Sequence, residues 1–190
     1  MEGVPAARLL SRRAFLQVSS ATLLAAPLVP WPSFLESSHR FFTAAEAATV
    51  NALCDRIIPA DGDPGAAWAG VVEFIDRKLV GYHRRFQSLY RRGLQGVNES
   101  AQALFQRPFT DLTVAQQDEL LHRLEQNQAP GATWSRVSAA DFFNRLVDHT
   151  LQGFYGGPRH GGNRDEVSWH MLGLPTPIVR SRRPLTADWK

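Results

Sequence analysis

The stretch "TAAEAATVNALCDRIIP", Thr43 to Pro59, contains the start, the buried face and the end of one amphipathic helix. Thr43 and Glu46 have the spacing of a capping box, in which each side chain satisfies a free backbone N–H group of the first turn. Apolar side chains then recur at helical spacing, at Val50, Leu53, Cys54, Ile57 and Ile58. The proline ends the helix. Because Cys54 lies within this stripe, we interpret it as a small buried hydrophobe rather than a reactive thiol.

Helical patterns continue along the chain. A long helical region is predicted from about Ala66 to Leu104, with a break or kink at Gly81. Thr113 and Gln116 form a second capping box, and Ser138 caps a last helix. The residues predicted to face the core in these two helices are Leu120, Leu121, Leu124, Phe142, Phe143, Leu146, Val147 and Leu151. No alternating strand and no repeat is found, so we predict an all-α domain of about four to six helices with a long Gly-rich C-terminal loop.

The segment "HRRFQSLYRR", residues 83–92, combines four arginines with two aromatic residues, Phe86 and Tyr90, besides His83. Such a segment can bind an anion or a partner. The aromatic residues have the spacing of a helix face that packs on a core, which favours the solvated face of an amphipathic helix instead.

Composition limits the function classes. The 190 residues suffice for one domain and a tail, and the net charge is +3. Residues 1–30 carry three arginines and one glutamate, so without them the charge falls to +1 and nucleic-acid binding is not expected. The single cysteine excludes an intrachain disulfide and makes a thiolate zinc site improbable, and there is no CxxCH haem attachment motif.

The N-terminus has the pattern of an export signal. Ser11, Arg12, Arg13, Phe15 and Leu16 match S-R-R-x-F-L, so the segment resembles a bacterial twin-arginine (Tat) signal. The apolar run that follows, residues 18–29, is shorter than the ~20 residues that a membrane-spanning helix needs. No clean A-x-A cleavage site follows Pro27, because Ala45-Glu46-Ala47 has the form but lies inside the first predicted helix. We predict a Tat signal at 1–30, a linker at 31–40, a helical domain at 41–177, a tail at 178–190, and periplasmic localisation.

The segment "GFYGGPRHGGNRDEVSWHMLG", Gly153 to Gly173, is the strongest candidate for a functional site. It follows a helix, and its glycine spacing matches neither G-x-G-x-x-G nor a P-loop, so a phosphate cradle is not expected. No G-x-S-x-G motif is present for nucleophilic catalysis. Potential metal ligands are present, but none has the i, i+4 spacing of H-E-x-x-H: His149, His160, Asp165 and His170.

A surface that docks another protein is the remaining interpretation of this segment. Aromatic residues and arginines are enriched at the anchoring points of protein interfaces. The residues that we assign to a partner interface are Phe154, Tyr155, Arg159, Gly161, Gly162, Asn163, Arg164 and Trp169. The alternative is a loop packed onto its own domain with Trp169 as its core plug, and the sequence leaves the two interpretations even.

Two segments resemble the gluconate 2-dehydrogenase subunit 3 family. "FFTAAEAATVNALCDRIIPADG" is similar to the family's opening helix, and the C-terminal segment is similar to its G-F-(x)-P-x-Y-G-G-N-R-D-x-x-G-W-x-x-x-G-F-P motif, in which (x) is a gap of variable length. The matching positions are Gly153, Phe154, Pro158, Gly161, Gly162, Asn163, Arg164, Asp165, Trp169, Gly173 and Pro175. The resemblance covers about residues 40–177. His160 replaces an aromatic residue and Ser168 replaces a common glycine of the motif.

The resemblance implies the small, or gamma, subunit of a periplasmic dehydrogenase complex that acts on sugars, polyols or aldonates. In such complexes FAD binds to a large subunit of the glucose-methanol-choline type, and a multi-haem cytochrome c subunit often carries electrons onward. The small subunit carries the Tat signal for both chains, engages the Tat translocase and assists the folding of the large subunit. The complex is associated with the inner membrane through its other subunits. This chain is then expected to hold no catalytic residue, metal or cofactor of its own.

Two alternatives from other classes stay open at this point. One is a free-standing periplasmic metal-dependent enzyme that uses His149, His160, Asp165 and His170. The other is a sugar-binding module that uses Trp169 and Tyr155.

Overall fold

The capping box at Thr43 forms as the sequence predicts. In the computed structural model, the Thr43 hydroxyl accepts from the Glu46 N–H at 3.2 Å, and the Glu46 carboxylate accepts from the Thr43 N–H at 2.8 Å. The structure describes residues 39–175. The predicted export signal, almost all of the predicted linker and the predicted tail therefore lie outside the described residues. The part that is described lies within one compact unit.

Residues 39–175 form six α-helices and no β-strand, which confirms the all-α class. The helices are α1 (Ala44–Ile57), α2 (Val71–Leu79), α3 (Gln87–Phe105), α4 (Val114–Glu125), α5 (Ala139–Tyr155) and α6 (Val167–Met171). Short 3-10 turns lie at Arg84–Phe86, Phe109–Asp111, Ala132–Ser135, Pro158–His160 and Arg164–Glu166. None of the helices in this range has the length and apolar composition needed to cross a bilayer.

The long helical region predicted from Ala66 to Leu104 consists of two helices. The first begins only at Val71, because Gly70 has a left-handed backbone conformation (φ 73°) that a continuous helix excludes. It ends at Leu79, and the chain turns through Gly81 before α3 begins at Gln87. The break predicted at Gly81 is therefore confirmed, while the predicted start was wrong by about one helical turn.

Helix α5 lies at the centre of the domain, in contact with each of α1 to α4 and with α6. Its side chains Phe142, Leu146 and Phe154 are fully buried in the common core. The prediction for Leu151 was wrong: it fits the helical stripe, yet 42% of its surface is exposed. Because α5 also leads directly into the Gly-rich segment, the packing of the core fixes where that segment begins.

Two glycines on α3 allow the close packing of aromatic rings. A Cβ at Gly96 would lie 2.5 Å from Trp134 Cζ2, and one at Gly93 would overlap the ring of Phe142. Real Cβ atoms essentially never approach a neighbour this closely. The aromatic rings therefore pack directly against the backbone of the helix at these two positions, where a side chain would not fit.

Candidate functional site

Asn163 holds the Gly-rich segment together. Its side chain is fully buried, and its Nδ2 donates to the Gly156 carbonyl at 2.9 Å while its Oδ1 accepts from the Ser168 N–H at 2.9 Å. The first bond reaches the end of α5 and the second reaches the first turn of α6. One side chain thus closes the loop between the two helices.

The backbone of the loop lies directly on the helices beneath it. A Cβ at Gly162 would overlap the carbonyl of Gly153 on α5, and a Cβ at Gly153 would lie 3.0 Å from Phe74 on α2. The Arg164 N–H donates to the Ala69 carbonyl at 3.0 Å, just before α2. Because Gly153 and Gly162 have no Cβ, the loop can pack directly on α5 and α5 can pack closely on α2.

Several residues of the loop have a left-handed backbone conformation. Asn163, Asp165 and Glu166 have φ values of 48°, 51° and 58°, and Gly161 has a φ of 108°. Each such non-glycine residue costs about 1 kcal/mol or more, so the surrounding contacts must stabilise the conformation. The loop has one shape because the hydrogen bonds of Asn163 and Arg164 hold it there.

The residues assigned to a partner interface fall into two groups in the structure. Phe154, Gly162 and Asn163 are buried in the domain itself, where they build the fold. Tyr155, Arg159 and Arg164 are exposed, whereas Gly161 and Trp169 are half-buried.

Trp169 is tethered to its own domain. Its indole Nε1 donates to the Tyr155 carbonyl at 3.0 Å, at the C-terminal end of α5. This bond orients the short helix α6 and leaves part of the indole accessible. Trp169 therefore packs partly onto its own domain, and its role as a partner anchor stays a prediction.

Exposed apolar side chains surround the loop, and the sequence analysis missed most of them. The set, which we call the loop surface, comprises Trp68, Leu151, Tyr155, Met171, Leu172 and Leu174. The guanidinium of Arg164 lies 5.9 Å from the Trp68 ring centroid, which joins the start of α2 to the loop. Exposed apolar groups that occur together in and next to one loop are typical of a surface that binds another protein.

The N-terminal end of the described chain is attached to the helix that supports the loop. The buried Asp76 carboxylate on α2 accepts from the backbone N–H groups of Arg40, Phe41 and Phe42 at 2.7, 2.9 and 2.9 Å. The next residue, Arg77, lies against Gly161, where a Cβ would be 3.1 Å from Arg77 Cδ. Helix α2 thus joins the start of the domain to the Gly-rich loop.

The potential metal ligands do not form a cluster. His149 is in the core, with its Nδ1 2.9 Å from the Tyr90 hydroxyl and its ring stacked on His83 at 4.3 Å between centroids. Burial, together with the neighbouring His83 and Arg145, lowers the pKa of His149 to about 3. Within residues 39–175 no three His, Cys, Asp or Glu side chains are placed to hold a metal ion. His160, Asp165 and His170 are not joined with His149 into such a group.

Cys54 is buried and inert. It has no exposed surface, and the Thr150 hydroxyl donates to its sulfur at 3.3 Å. Burial raises the pKa of the thiol to about 12, so the nucleophilic thiolate does not form near neutral pH. The structure supports the interpretation of Cys54 as a core residue.

The pairing of His83 with His149 was not predicted. The two histidines are far apart in sequence, and only the packing of α5 against the turn before α3 brings their rings together. The aromatic residues around them, Phe86 and Tyr90, were the available signal, because they mark the buried face of that turn.

The comparison with known families matches the part of the chain that builds this site. The family described as gluconate 2-dehydrogenase subunit 3 matches residues 44–175, from the first turn of α1 to the end of the described chain. No curated protein and no solved structure matches the chain.

Proposed function

The chain belongs to the gluconate 2-dehydrogenase subunit 3 family, and we propose that it is the noncatalytic small subunit of a periplasmic FAD-dependent sugar, polyol or aldonate dehydrogenase. Membership places the chain in a dehydrogenase complex as one of its subunits. In our proposal the FAD belongs to a large subunit of the glucose-methanol-choline type. A multi-haem cytochrome c subunit completes the complex and associates it with the inner membrane. The loop surface is the observation that carries the assignment of this chain as a binding subunit.

The loop surface has the chemistry of an interface. Leu172 and Tyr155 offer apolar area, while Arg159 and Arg164 offer directed hydrogen bonds at its edge. Aromatic residues and arginines carry much of the binding energy in protein complexes. A permanent complex would bury on the order of 2,000 Å² or more, so the loop surface would form one part of a larger contact.

The escort function follows from mass action. A subunit that binds only the folded, FAD-loaded form of its partner stabilises that form, by about 2.7 kcal/mol at a concentration one hundred times the Kd. In our proposal the Tat signal then exports the two chains together as a folded pair. The attachment of residues 40–42 to α2 supports this arrangement, because α2 also contacts the loop that we propose binds the partner.

Export of the pair is tested by changing the signal. The chain is co-expressed with the product of the neighbouring reading frame, and both are quantified in periplasmic and cytoplasmic fractions. We expect Arg12→Lys combined with Arg13→Lys to leave both chains in the cytoplasm. Normal export of the flavoprotein with this double variant would refute the escort function.

Binding is tested by co-purification and by activity. We expect a yellow, flavin-containing protein to co-purify with the chain, and Leu172→Ser to reduce its yield. Val114→Ser is the matched control. Val114 is 57% exposed, close to the 60% of Leu172, but it lies at the start of α4 and is not part of the loop surface. Oxidation of a sugar by the purified chain alone, with a dye as electron acceptor, would show that the chain is an enzyme and overturn the proposal.

A further inference from the structure

The turn between α2 and α3 forms a second exposed surface, which carries positive charge. We define the Tyr82 turn by Lys78, Tyr82, Arg84, Arg85 and the neighbouring Arg145 on α5. Tyr82 is 84% exposed, the largest fraction among the exposed large hydrophobic residues of the described chain. Residues 78–98 contain five Lys and Arg residues and no Asp or Glu. The surface therefore combines an exposed ring with a local excess of positive charge.

Few carboxylates balance this charge. Among residues 39–175, neither Arg84 nor Arg85 lies within 4.0 Å of a carboxylate, and both are exposed. Arg145 has one acidic partner, Asp148, at 3.0 Å. The neighbouring basic residue Arg91 is different, because it pairs with Glu46 and donates to the Phe41 carbonyl at 2.6 Å. Arg91 thus stabilises the fold, whereas Arg84 and Arg85 in the turn are available to bind a carboxylate of another molecule.

The turn is held in one conformation. The His83 N–H donates to the Lys78 carbonyl at 2.8 Å, and the Gln87 side-chain amide donates to the Leu79 carbonyl at 2.9 Å. The ring of His83 stacks on His149 at 4.3 Å and meets the ring of Tyr82 edge-on at 5.2 Å. The exposed Tyr82 ring therefore packs against His83, whose own ring stacks on the buried His149.

The arginines are oriented as well. The guanidinium carbons of Arg85 and Arg145 lie 4.8 and 4.4 Å from the ring centroid of Phe86, so one aromatic ring fixes both groups. The Nε of Arg145 is buried and has no hydrogen-bond partner in the described chain. A planar guanidinium held on a ring offers its N–H groups in the fork geometry that matches a carboxylate.

We propose that the Tyr82 turn docks a carboxylate-bearing surface of the partner subunit, as a second contact beside the loop surface. This inference rests on the proposed function, because it assumes that the partner exists. Charge complementarity identifies the occupant: an uncompensated basic surface requires Asp or Glu side chains on the protein that covers it. The fixed conformation of the turn and its arginines favour a protein as the occupant over a membrane, because flexible lysines bind a membrane surface equally well. Tyr82 is the anchor at the centre of this contact.

The test compares three variants in complexes with the flavoprotein that co-purifies with the unmodified chain. Arg84→Glu reverses one exposed charge, and Tyr82→Ala removes the anchor. Arg107→Glu is the control, since Arg107 is exposed, forms no ion pair within the described chain and lies outside the turn. The Kd is measured for each at about 50 mM and about 300 mM salt, because screening weakens exposed charge pairs. Circular dichroism confirms that each variant is folded.

We expect Arg84→Glu and Tyr82→Ala each to raise the Kd about tenfold, and Arg107→Glu to leave it unchanged. The affinity of the Arg84→Glu variant should also depend less on salt. A photo-crosslinker at position 82 should attach to an Asp- or Glu-rich peptide of the flavoprotein, and replacing a carboxylate there by arginine should restore binding to Arg84→Glu.

Three outcomes overturn the inference. Unchanged Kd values for both turn variants would refute the docking contact and leave the proposed function intact. Binding to phosphatidylglycerol vesicles that Arg84→Glu abolishes, together with unaltered affinity for the flavoprotein, would assign the turn to a membrane surface. Failure of the unmodified chain to form any complex would refute both proposals together.

Discussion

Replacement of Asn163 tests the idea that one side chain gives the Gly-rich loop its shape. Asn163→Ala removes the hydrogen bonds to the half-buried Gly156 carbonyl and the buried Ser168 N–H, both at 2.9 Å, and leaves both groups without that partner. Each unpaired group costs about 1–3 kcal/mol. Alanine at a φ of 48° adds about 1 kcal/mol. The expected loss is therefore about 3–7 kcal/mol for the closed loop.

Asn163→Gly separates the two contributions. Glycine adopts the left-handed conformation freely but makes neither hydrogen bond, so it should be about 1 kcal/mol more stable than alanine and still well below asparagine. Asn163→Asp keeps the shape and loses the donor to Gly156, while adding a buried charge. The expected order of stability is asparagine, glycine, alanine, with aspartate below glycine.

Native-state hydrogen exchange measures this loss where it occurs. The Ser168 and Arg164 amides close the loop, and their protection should fall about tenfold for every 1.4 kcal/mol lost, while amides in α4 stay protected. Chemical denaturation with circular dichroism detection gives the global free energy of unfolding for comparison. Wild-type protection of Ser168 in Asn163→Gly would show that the hydrogen bonds contribute nothing and would refute this account.

Three further predictions concern the core. Gly93→Ala should lower stability by about 1–3 kcal/mol in thermal unfolding, although Gly→Ala within a helix normally adds about 1 kcal/mol, because the new methyl group meets the Phe142 ring. Gly81→Ala is its control, with no atom nearer than 3.5 Å, and equal effects of the two would contradict the packing argument. The pKa of His149 is about 3 in the folded state against 6.5 in the unfolded chain. The stability that the neutral imidazole contributes is therefore fully present above pH 6.5 and is lost as the pH falls. Denaturation should show a loss of about 2 kcal/mol between pH 7 and pH 5 that His149→Phe flattens, and an equal slope in that variant would exclude His149 as the cause. Asp76→Asn should increase exchange of the three backbone amides that it binds at least tenfold, and unchanged exchange would mean that the carboxylate is not their anchor.

Local rules predicted the parts of the fold that depend on neighbours in sequence. Both capping boxes are present, at Thr43 and at Thr113, because the partners of a capping box lie three residues apart. The cap at Ser138 is present for the same reason. Helix periodicity likewise identified the buried Leu120, Leu121 and Leu124.

The same rules failed where distant segments meet. Leu151 lies on the helical stripe of α5, but the loop packs onto Gly153, and Leu151 stays exposed. The short helix α6 has no clear period, since its position depends on the bond from Trp169 to the Tyr155 carbonyl. The stack of His83 on His149 depends on the crossing of two elements, which no spacing rule contains.

The Gly-rich segment also shows why a recognisable motif need not be a list of contact residues. Gly162 and Asn163 are buried and shape the loop, whereas Tyr155 and Arg164 are exposed on its surface. A change at Gly162 or Asn163 should weaken partner binding only as far as it opens the loop. The affinity for the partner and the hydrogen-exchange protection of the loop amides should therefore fall together. A change in the second pair should weaken binding with protection unaltered. Plotting the change in affinity against the change in protection for both sets of variants therefore separates the residues that build the surface from those that use it, and a single line through all of them would mean that Tyr155 and Arg164 act through the fold as well.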